Sequence, residues 1–267
     1  MLYFSSLLQT NPTYKPAAKR LFDILDNCGE QYCFLPNTKD IWLRDFMPIR
    51  TKSGRFVSFK YKPSYLCGFD SITTDFKRDV SGNIDVDYEL SEINLDGGNV
   101  VFSPSREKAI ISDRVFSENP DRSADDLLCE LQRLLEAKII IIPSLNPKYD
   151  MTGHADGMVR FVDENTVIGN SPMSPGGLEF RIKNTLKRHN ISVIDFPYFE
   201  LGKNSAVGCY LNFLETEKHI FLPVFGNTLD SRAISKAKSI FGKPVATVNI
   251  VEIATQGGCL NCIAWEM

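Results

Sequence analysis

Length, composition and charge place this chain among ordinary globular proteins. It has 267 residues, of which 43% are hydrophobic and 24% are charged, and its formal net charge at pH 7 is -3. This balance excludes a strongly basic nucleic-acid-binding protein, and no apolar run approaches the roughly 20 residues that a membrane-spanning helix needs. We therefore expect one domain over residues 1–267, a cytoplasmic location, and neither nucleic acid nor membrane as a partner.

The first predicted elements are a helix over about 15–28 and a short strand over 31–35. A hairpin follows, with an outgoing strand over 42–50 and a returning strand over 55–61. The segment 62–92 has turn-like pieces and no helical period, so the sequence predicts a loop with short strands that could cover a site.

From residue 93 onward one order of elements recurs, namely a hairpin, a helix and an apolar strand. The three predicted occurrences are 94–103 with 108–113, 123–137 and 138–142; then 157–161 with 166–169, 178–188 and 191–196; then 209–215 with 219–224, 231–241 and 245–250. A last strand over 260–265 has nothing after it, so the N-terminal helix and strand would complete that unit by circular closure.

The first strands of successive hairpins begin at regular intervals. Their starts lie roughly 50 to 65 residues apart, which is typical of a supersecondary repeat; they are near Asp45, Asn94, Gly157, Cys209 and Cys262. Units that cannot each cover their own apolar face would close into a ring, with the helices outside and the first strands at the axis. Polar residues on these strands would then converge on one cavity.

The stretch 149–160, YDMTGHADGMVR, places one of only three histidines two residues from a carboxylate. In an extended strand residues i and i+2 project from the same face, so His154 and Asp156 would point at one spot. Gly153 and Gly157 bracket the pair, and glycine allows close approach to the backbone. The alternative is a structural role, in which His154 lies at a strand edge and a neighbouring aspartate satisfies its hydrogen-bonding groups.

Residues whose side chains can take part in catalysis or in binding also occur at each of the other first strands. They are Trp42 and Asp45, Asp96 and Asn99, Asn212, and Cys262. A cysteine, a histidine and two aspartates have a specific use together. A thiolate attacks an electrophilic carbon, an imidazole moves protons, and two carboxylates hold a planar cation.

The ordered motifs W-x-R-D, D-G-G-N, G-H-x-D-G, Y-x-N-F and G-G-x-x-N-C span Trp42 to Cys262. This set resembles the agmatine deiminase and bacterial-type peptidylarginine deiminase family of guanidine-modifying enzymes. The resemblance implies an α/β fold, a five-bladed pentein-type propeller of ββαβ repeats with pseudo-fivefold symmetry, which agrees with the periodicity.

By matching position, the resemblance implies Cys262 as the nucleophile, His154 as the general acid and base, and Asp45 and Asp156 as the guanidinium holders. Further predicted substrate contacts are Trp42, Asn212, Asp96 and Asn99. For three of these a structural role is also open: Trp42 as cavity wall or core, Asn212 as a partner of buried backbone groups, and Asp96 as part of a turn at the cavity mouth.

The implied reaction hydrolyses the guanidinium group of agmatine, or of a related small guanidine, to a ureido product and ammonia through a covalent thiouronium. No cofactor and no metal are expected, and a homodimer is a possible assembly. Peptidyl or free arginine is the alternative substrate. A non-catalytic propeller that binds a partner protein is the alternative from another class.

Departures from the family pattern leave the substrate open. The family's Trp- and Gly-rich stretch after W-x-R-D is replaced here by residues 56–63, FVSFKYKP, and Asn261 stands where the family usually has a histidine. Asp96 replaces the commoner glutamate.

Some of these residues also have alternative interpretations. The pair Cys259 and Cys262 could be a redox pair or half of a zinc site completed by Cys28 and Cys33. Asp45 could instead pair with Arg44 or Arg50 on a surface. Arg160 is interpreted as part of an internal ion pair, and His189 and His219 as solvated surface residues.

Overall fold

The computed structural model describes residues 1–202 and 204–267, and within them the strands form five sheets of three strands each. The strands in chain order are β1 Leu2–Ser5, β2 Tyr32–Leu35, β3 Ile49–Arg50, β4 Phe56–Lys60, β5 Tyr88–Asn94, β6 Val100–Phe102, β7 Lys108–Ser112, β8 Lys138–Ile142, β9 Val159–Asp163, β10 Thr166–Asn170, β11 Ser192–Phe196, β12 Leu214–Glu215, β13 Ile220–Val224, β14 Val245–Asn249 and β15 Ala264–Glu266.

The helices lie between these strands. They are α1 Leu7–Thr10, α2 Lys15–Asn27, α3 Leu43–Phe46, α4 Arg114–Ser117, α5 Ala124–Leu135, α6 Leu178–Arg188, α7 Asp230–Ile240 and α8 Val251–Ala254. The four long helices fall where the sequence predicts them. In α5 the residues Leu127, Leu131 and Leu134 repeat at helical spacing and are buried, and the side chain of Ser123 accepts the Asp126 N–H at the N-cap.

All five sheets share one topology. The middle strand pairs antiparallel with the strand before it and parallel with the strand after it, in the orders β3-β4-β5, β6-β7-β8, β9-β10-β11, β12-β13-β14 and β15-β1-β2. A parallel neighbour needs a crossover connection, and in four of the five units a long helix provides it. The predicted repeat of hairpin, helix and strand is therefore confirmed.

The fifth sheet joins the two ends of the chain. β1 lies between β15 and β2, with Tyr3 opposite Trp265 and Phe4 opposite Phe34. The Met267 N–H also donates to the Met1 carbonyl over 3.1 Å. The predicted circular closure is confirmed, but the sequence pattern missed β1 itself, because a four-residue apolar run gives no period to count.

The first unit differs most from its prediction. Residues 43–46 form the short helix α3 rather than the start of a strand. β5 lies at the end of the segment 62–92, predicted as a loop with short strands, and extends two residues beyond it. The π-helix Phe76–Val80 replaces a long crossover helix between β4 and β5. In the other units too the first strands start later than predicted, because the polar and glycine-rich residues before them form turns.

The cores of neighbouring units are continuous. The largest buried cluster contains Phe4 of β1, Leu21 of α2, Tyr210 and Phe221, and so joins the fourth and fifth units. No helix among residues 1–202 and 204–267 is both long enough and apolar enough to cross a membrane.

Candidate active site

The predicted site residues converge because five equivalent turns precede the first strands of the sheets. Asp45 lies in α3 before β3, and Asn99 and Asp156 lie in the 3-10 turns Gly97–Asn99 and Ala155–Gly157. Asn212 and Cys262 occupy the corresponding turns before β12 and β15. The extended strand predicted for His154 and Asp156 is wrong: His154 is extended, but Asp156 lies in the helical turn that follows it.

Cys262 and Asp156 form one half of the site. The Sγ of Cys262 lies 3.7 Å from Oδ2 of Asp156, and both side chains are buried. The same Oδ2 accepts hydrogen bonds from Nδ2 of Asn212 over 3.0 Å and from Nδ2 of Asn261 over 2.7 Å. Two amide donors therefore fix the carboxylate beside the thiol and offset part of the cost of its burial.

Asn212 connects the carboxylate of Asp156 to the turn that contains Cys259 and Cys262, the cysteine turn. Its Oδ1 accepts the backbone N–H groups of Cys259 over 3.2 Å and Cys262 over 3.3 Å, while its Nδ2 donates to Asp156. The predicted structural role of Asn212 is therefore confirmed, because it satisfies buried backbone groups, whereas its contact with substrate stays a prediction.

Asp45 and His154 form the other half. Oδ1 of Asp45 accepts the Gly98 N–H over 3.0 Å and lies 3.6 Å from Nδ1 of His154. Asp45 is buried, so the alternative of a surface pair with Arg44 or Arg50 is wrong. A Cβ at Gly98 would lie 2.6 Å from Oδ1 of Asp45 and 2.7 Å from Nδ1 of His154, which is why a residue without a side chain stands there.

Asp96 bonds directly to the histidine. Its Oδ2 lies 2.8 Å from Nε2 of His154 and also accepts the hydroxyl of Tyr65 over 2.7 Å. Asp96 is therefore not only part of a turn, because it also contacts the imidazole of His154 directly. Because Nε2 is occupied by this carboxylate, Nδ1 is the nitrogen that faces Asp45 and the cavity.

Five ionisable groups crowd one buried space, and this crowding shifts the pKa values of Asp45, His154 and Cys262. Burial lowers the pKa of His154, but the negative charges of Asp45, Asp96 and Asp156 outweigh it and raise that pKa overall. Burial raises the pKa of Asp45 and, with the charges of Asp156 and Asp45, raises the pKa of Cys262. A cation placed between the two carboxylates would oppose the last shift.

Trp42 packs beside the turn that contains Cys262. A Cβ at Gly258 would lie 2.4 Å from the indole Cζ3 of Trp42 and 3.0 Å from Cβ of Cys262, so ring, glycine and cysteine are in close contact. Oδ1 of Asn99 accepts the N–H groups of Ser112 over 2.9 Å and Ala155 over 3.2 Å. Asn99 therefore supports the turn that carries Asp156, and its contact with substrate stays a prediction.

Sequence reasoning missed two residues of this site. Asn261 is directly adjacent to the predicted nucleophile, and its position in G-G-x-x-N-C could have marked it as a partner of Asp156. Tyr65 comes from the segment predicted as a loop, and nothing in its sequence surroundings indicates a contact with Asp96.

Two residues outside the site also test predictions. Nη1 of Arg160 donates to the Phe213 carbonyl, and its Nη2 lies 4.0 Å from Oε2 of Glu215, so the predicted internal ion pair is confirmed. His219 is not a solvated residue, because its Nδ1 lies 2.8 Å from Oε1 of Glu30 and the side chain is only 18% exposed.

The cysteines give no geometric support to the alternatives of a redox pair or a zinc site, and all seven are free. Cys259 is buried, whereas Cys33 is exposed. Within residues 1–202 and 204–267 no three His, Cys, Asp or Glu side chains are grouped so that they could hold a metal ion.

Solved structures with the same fold include two agmatine deiminases. That of C. jejuni is 17% identical, with a TM-score of 0.76, and the match covers 99% of this chain and 92% of that one. That of Enterococcus faecalis is 14% identical, with a TM-score of 0.77 over the same shares of the two chains. A dimethylarginine dimethylaminohydrolase of Pseudomonas aeruginosa is 14% identical, with a TM-score of 0.65, and the match covers 100% of this chain and 98% of that one. These likenesses establish a shared mixed α/β fold.

Matches by sequence are of two kinds. A curated Lactococcus lactis protein, named as a candidate agmatine deiminase, is 31% identical over 62 residues, which make up 23% of this chain and only 17% of that protein. The model of the Porphyromonas-type peptidyl-arginine deiminase family, in contrast, matches residues 7–267. Together with the convergence of the five motifs on one buried site, this match shows that the chain belongs to the Porphyromonas-type peptidyl-arginine deiminase family.

Proposed function

We propose that the protein is a cysteine-dependent deiminase that hydrolyses the guanidinium group of agmatine, or of a related small guanidine, to a ureido product and ammonia. The observation that carries this proposal is that Cys262, Asp156, Asp45 and His154 meet in one buried site. Family membership supports the reaction class. The C. jejuni agmatine deiminase has been solved with substrate bound in a cysteine-to-serine variant, and the Pseudomonas aeruginosa enzyme with citrulline in another.

We further propose that the five sheets are the blades of a pentein-type propeller with pseudo-fivefold symmetry. Their common topology and the closure of the fifth sheet by both ends of the chain support this arrangement. The turns that carry the site residues would then meet at the axis.

In the proposed first step the guanidinium lies between Asp45 and Asp156, with its central carbon facing the sulfur of Cys262. The raised pKa of Cys262 means that the thiol is protonated in the free protein. The substrate cation and the imidazolium of His154 lower that pKa, so the thiol loses its proton to solvent and the thiolate forms as substrate binds. Sulfur then bonds to the central carbon and a tetrahedral adduct results.

His154 completes both halves of the reaction through Nδ1. The imidazolium gives its proton to an unsubstituted nitrogen, the C–N bond breaks, and ammonia leaves a covalent thiouronium. Neutral His154 then takes a proton from water as the water oxygen bonds to the same carbon. As the C–S bond breaks, the hydroxyl of the adduct loses its proton to solvent, which releases the ureido product and restores the Cys262 thiolate.

Burial and charge favour a small, doubly cationic substrate. Cys262, His154 and Asp45 are each only 8% exposed, which leaves little room for a protein-borne arginine. Asp45, Asp96 and Asp156 surround the reacting groups. An acidic site attracts the second amine of agmatine and repels the carboxylate of free arginine. Agmatine is therefore the first substrate to test, and peptidyl or free arginine is the second.

The test is an ammonia-release assay across agmatine, free arginine, a C-terminal arginyl peptide, an internal arginyl peptide and methylated arginine. We expect turnover of agmatine that disappears in Cys262→Ala and persists in Cys259→Ser. Equal loss in Cys259→Ser would contradict the assignment of Cys262. Absence of ammonia from every compound would favour the non-catalytic binding protein.

A further inference from the structure

Tyr65 lies against the histidine of the site. Its hydroxyl donates to Oδ2 of Asp96 over 2.7 Å, and the same oxygen lies 2.8 Å from Nε2 of His154. The rings of Tyr65 and His154 meet edge to face, with centroids 6.3 Å apart. One carboxylate oxygen therefore has two competing donors, the phenol and the imidazole.

The chain before Tyr65 is held in place by polar contacts with Asn94 at the end of β5 and with Glu118 of the second unit. Glu118 accepts the N–H of Ser64 over 2.8 Å and its hydroxyl over 2.6 Å. Asn94 accepts the N–H of Lys62 and donates to its carbonyl, each over 2.8 Å. These four hydrogen bonds fix the backbone on the N-terminal side of Tyr65, and this places the phenol beside Asp96.

Tyr65 keeps its proton throughout the working pH range. Burial and the negative charge of Asp96 raise its pKa well above the ordinary value. A neutral phenol that donates to a carboxylate draws electron density from it. Asp96 then attracts the imidazolium of His154 less strongly than it would alone.

We propose that Tyr65 is a positioning residue that sets the pH range over which His154 gains and loses its proton, acting through their shared partner Asp96. This inference rests on the role proposed above for His154. It concerns a residue outside the five motifs, two residues after the stretch 56–63.

Other ionisable groups also face His154, and they stay unchanged in the test. Asp45 lies 3.6 Å from Nδ1, and the charge of Asp156 also acts on the imidazole. Arg114 packs against Gly153, the residue before the histidine. Burial and the charges of Asp40, Asp45 and Asp96 raise the pKa of Tyr61, and a hydrogen bond with Tyr65 opposes this shift.

The test is a titration of His154 by NMR in protein labelled with nitrogen-15 histidine, without substrate. The chain has only three histidines, and a His154→Gln variant assigns the signal. In Tyr65→Phe we expect the pKa of His154 to rise by about one unit, as loss of one hydrogen bond to a charged group implies. An unchanged pKa would overturn the proposal. Because no turnover is needed, this result is independent of the proposed reaction.

Two controls isolate the route through Asp96. Tyr32→Phe removes a similar hydrogen bond, from the hydroxyl of Tyr32 to Oδ1 of Asp26 over 2.9 Å on the outer strand β2, and should leave His154 unshifted. In an Asp96→Asn background, Tyr65→Phe should cause no further shift. A shift that persists in that background would show that Tyr65 acts on His154 by another route, and would overturn the proposal.

Activity gives a second readout. If agmatine is turned over, kcat plotted against pH should have limbs that depend on the protonation of His154. In Tyr65→Phe these limbs should move to higher pH by the same amount as the pKa measured by NMR. KM should change little, because the phenol bonds to Asp96 and not to the groups that hold the guanidinium. A uniform loss of kcat at every pH, without a displaced profile, would indicate a merely structural role and contradict the proposal.

Discussion

At the scale of the residue, the site depends on single polar atoms that each serve several partners. Oδ2 of Asp156 accepts from Asn212 and Asn261 and contacts Cys262. Oδ1 of Asn212 accepts two backbone N–H groups of the cysteine turn. Buried groups with so many partners are costly to alter, because every partner left behind loses its hydrogen bond in a water-poor space.

The first prediction concerns Asn212. Asn212→Ala should lower kcat/KM for the turned-over guanidine at least a hundredfold and destabilise the protein by about 2–4 kcal/mol, because three buried hydrogen bonds are lost. Steady-state kinetics and urea unfolding measure the two effects.

Asn212→Asp is the matched variant: it keeps an acceptor for the N–H groups of Cys259 and Cys262, but its negative charge repels the carboxylate of Asp156. Stability nearer to that of the parent, with activity still low, would separate the two roles, whereas parental activity in Asn212→Ala would contradict the assignment.

At the scale of the element, the short turns before the first strands position the site and the strands only support them. Gly97–Asn99 lies so close to α3 that the Gly98 N–H bonds to Asp45. The connections between units are also specific. Glu136, which ends α5 in a left-handed conformation, accepts Ser53 and Arg55 from the hairpin of the first unit.

The second prediction concerns the Gly97–Asn99 turn. In Gly98→Ala the new Cβ would lie within 2.7 Å of both Asp45 and His154, so these side chains must separate. We expect kcat/KM to fall by about two orders of magnitude, as misplacement of reacting groups by about 1 Å can cause. Gly82→Ala is the matched control, because nothing lies within 4 Å of its Cβ position. Gly98→Ala with parental kinetics would show that the close approach of Asp45 and His154 is not needed.

The third prediction concerns the pH dependence of stability at Glu136. The backbone N–H of Ser53, the guanidinium of Arg55 and the Ser53 hydroxyl lower the pKa of Glu136 from 4.5 to about 2. A carboxylate whose pKa is lower in the folded state stabilises the protein above its unfolded pKa, and this contribution is lost as the pH falls through about 2. Glu136→Gln should therefore be less stable than the parent at neutral pH, and the difference should shrink as acid is added. Chemical unfolding at several pH values measures it, and a difference that grows in acid would refute the prediction.

At the scale of the whole molecule, the two ends of the chain meet in one sheet. Trp265 of β15 lies at this junction: it packs against Tyr3 and Phe56, and its Nε1 donates to the Pro48 carbonyl over 2.7 Å. The junction also adjoins the site, because Cys262 is only two residues before β15. The expected homodimer, cytoplasmic location and single domain over residues 1–267 stay predictions.

The fourth prediction concerns this junction. Trp265→Ala removes a buried aromatic side chain and its hydrogen bond, and should cost about 3–5 kcal/mol of unfolding free energy. Because the sheet that it weakens is contiguous with the cysteine turn, activity should be lost at a lower urea concentration than in the parent. Met267→Ala, at a residue that is 41% exposed, should have little effect. Equal midpoints for the Trp265→Ala variant and the parent would show that the junction does not limit stability.

The sequence alone predicts the repeat, the four long helices and the closure of the fifth sheet by both ends of the chain, and the roles of the reacting groups stay predictions. Apolar periodicity reports which face of each element is buried, and the motifs with Cys262, His154, Asp45 and Asp156 carry few interpretations other than guanidine chemistry. It could not place these residues on turns instead of strands, because a short polar and glycine-rich stretch has no period.

Only the tertiary structure decided the contacts between units. Asp96 bonds to His154 from 58 residues away, Asn212 reaches the Cys262 turn from 50 residues away, and Tyr65 belongs to a segment with no recognisable pattern. Such pairings depend on how the five sheets meet. Local sequence fixes the dihedral angles and burial of each element, but the packing of the units brings one side chain within hydrogen-bonding distance of another.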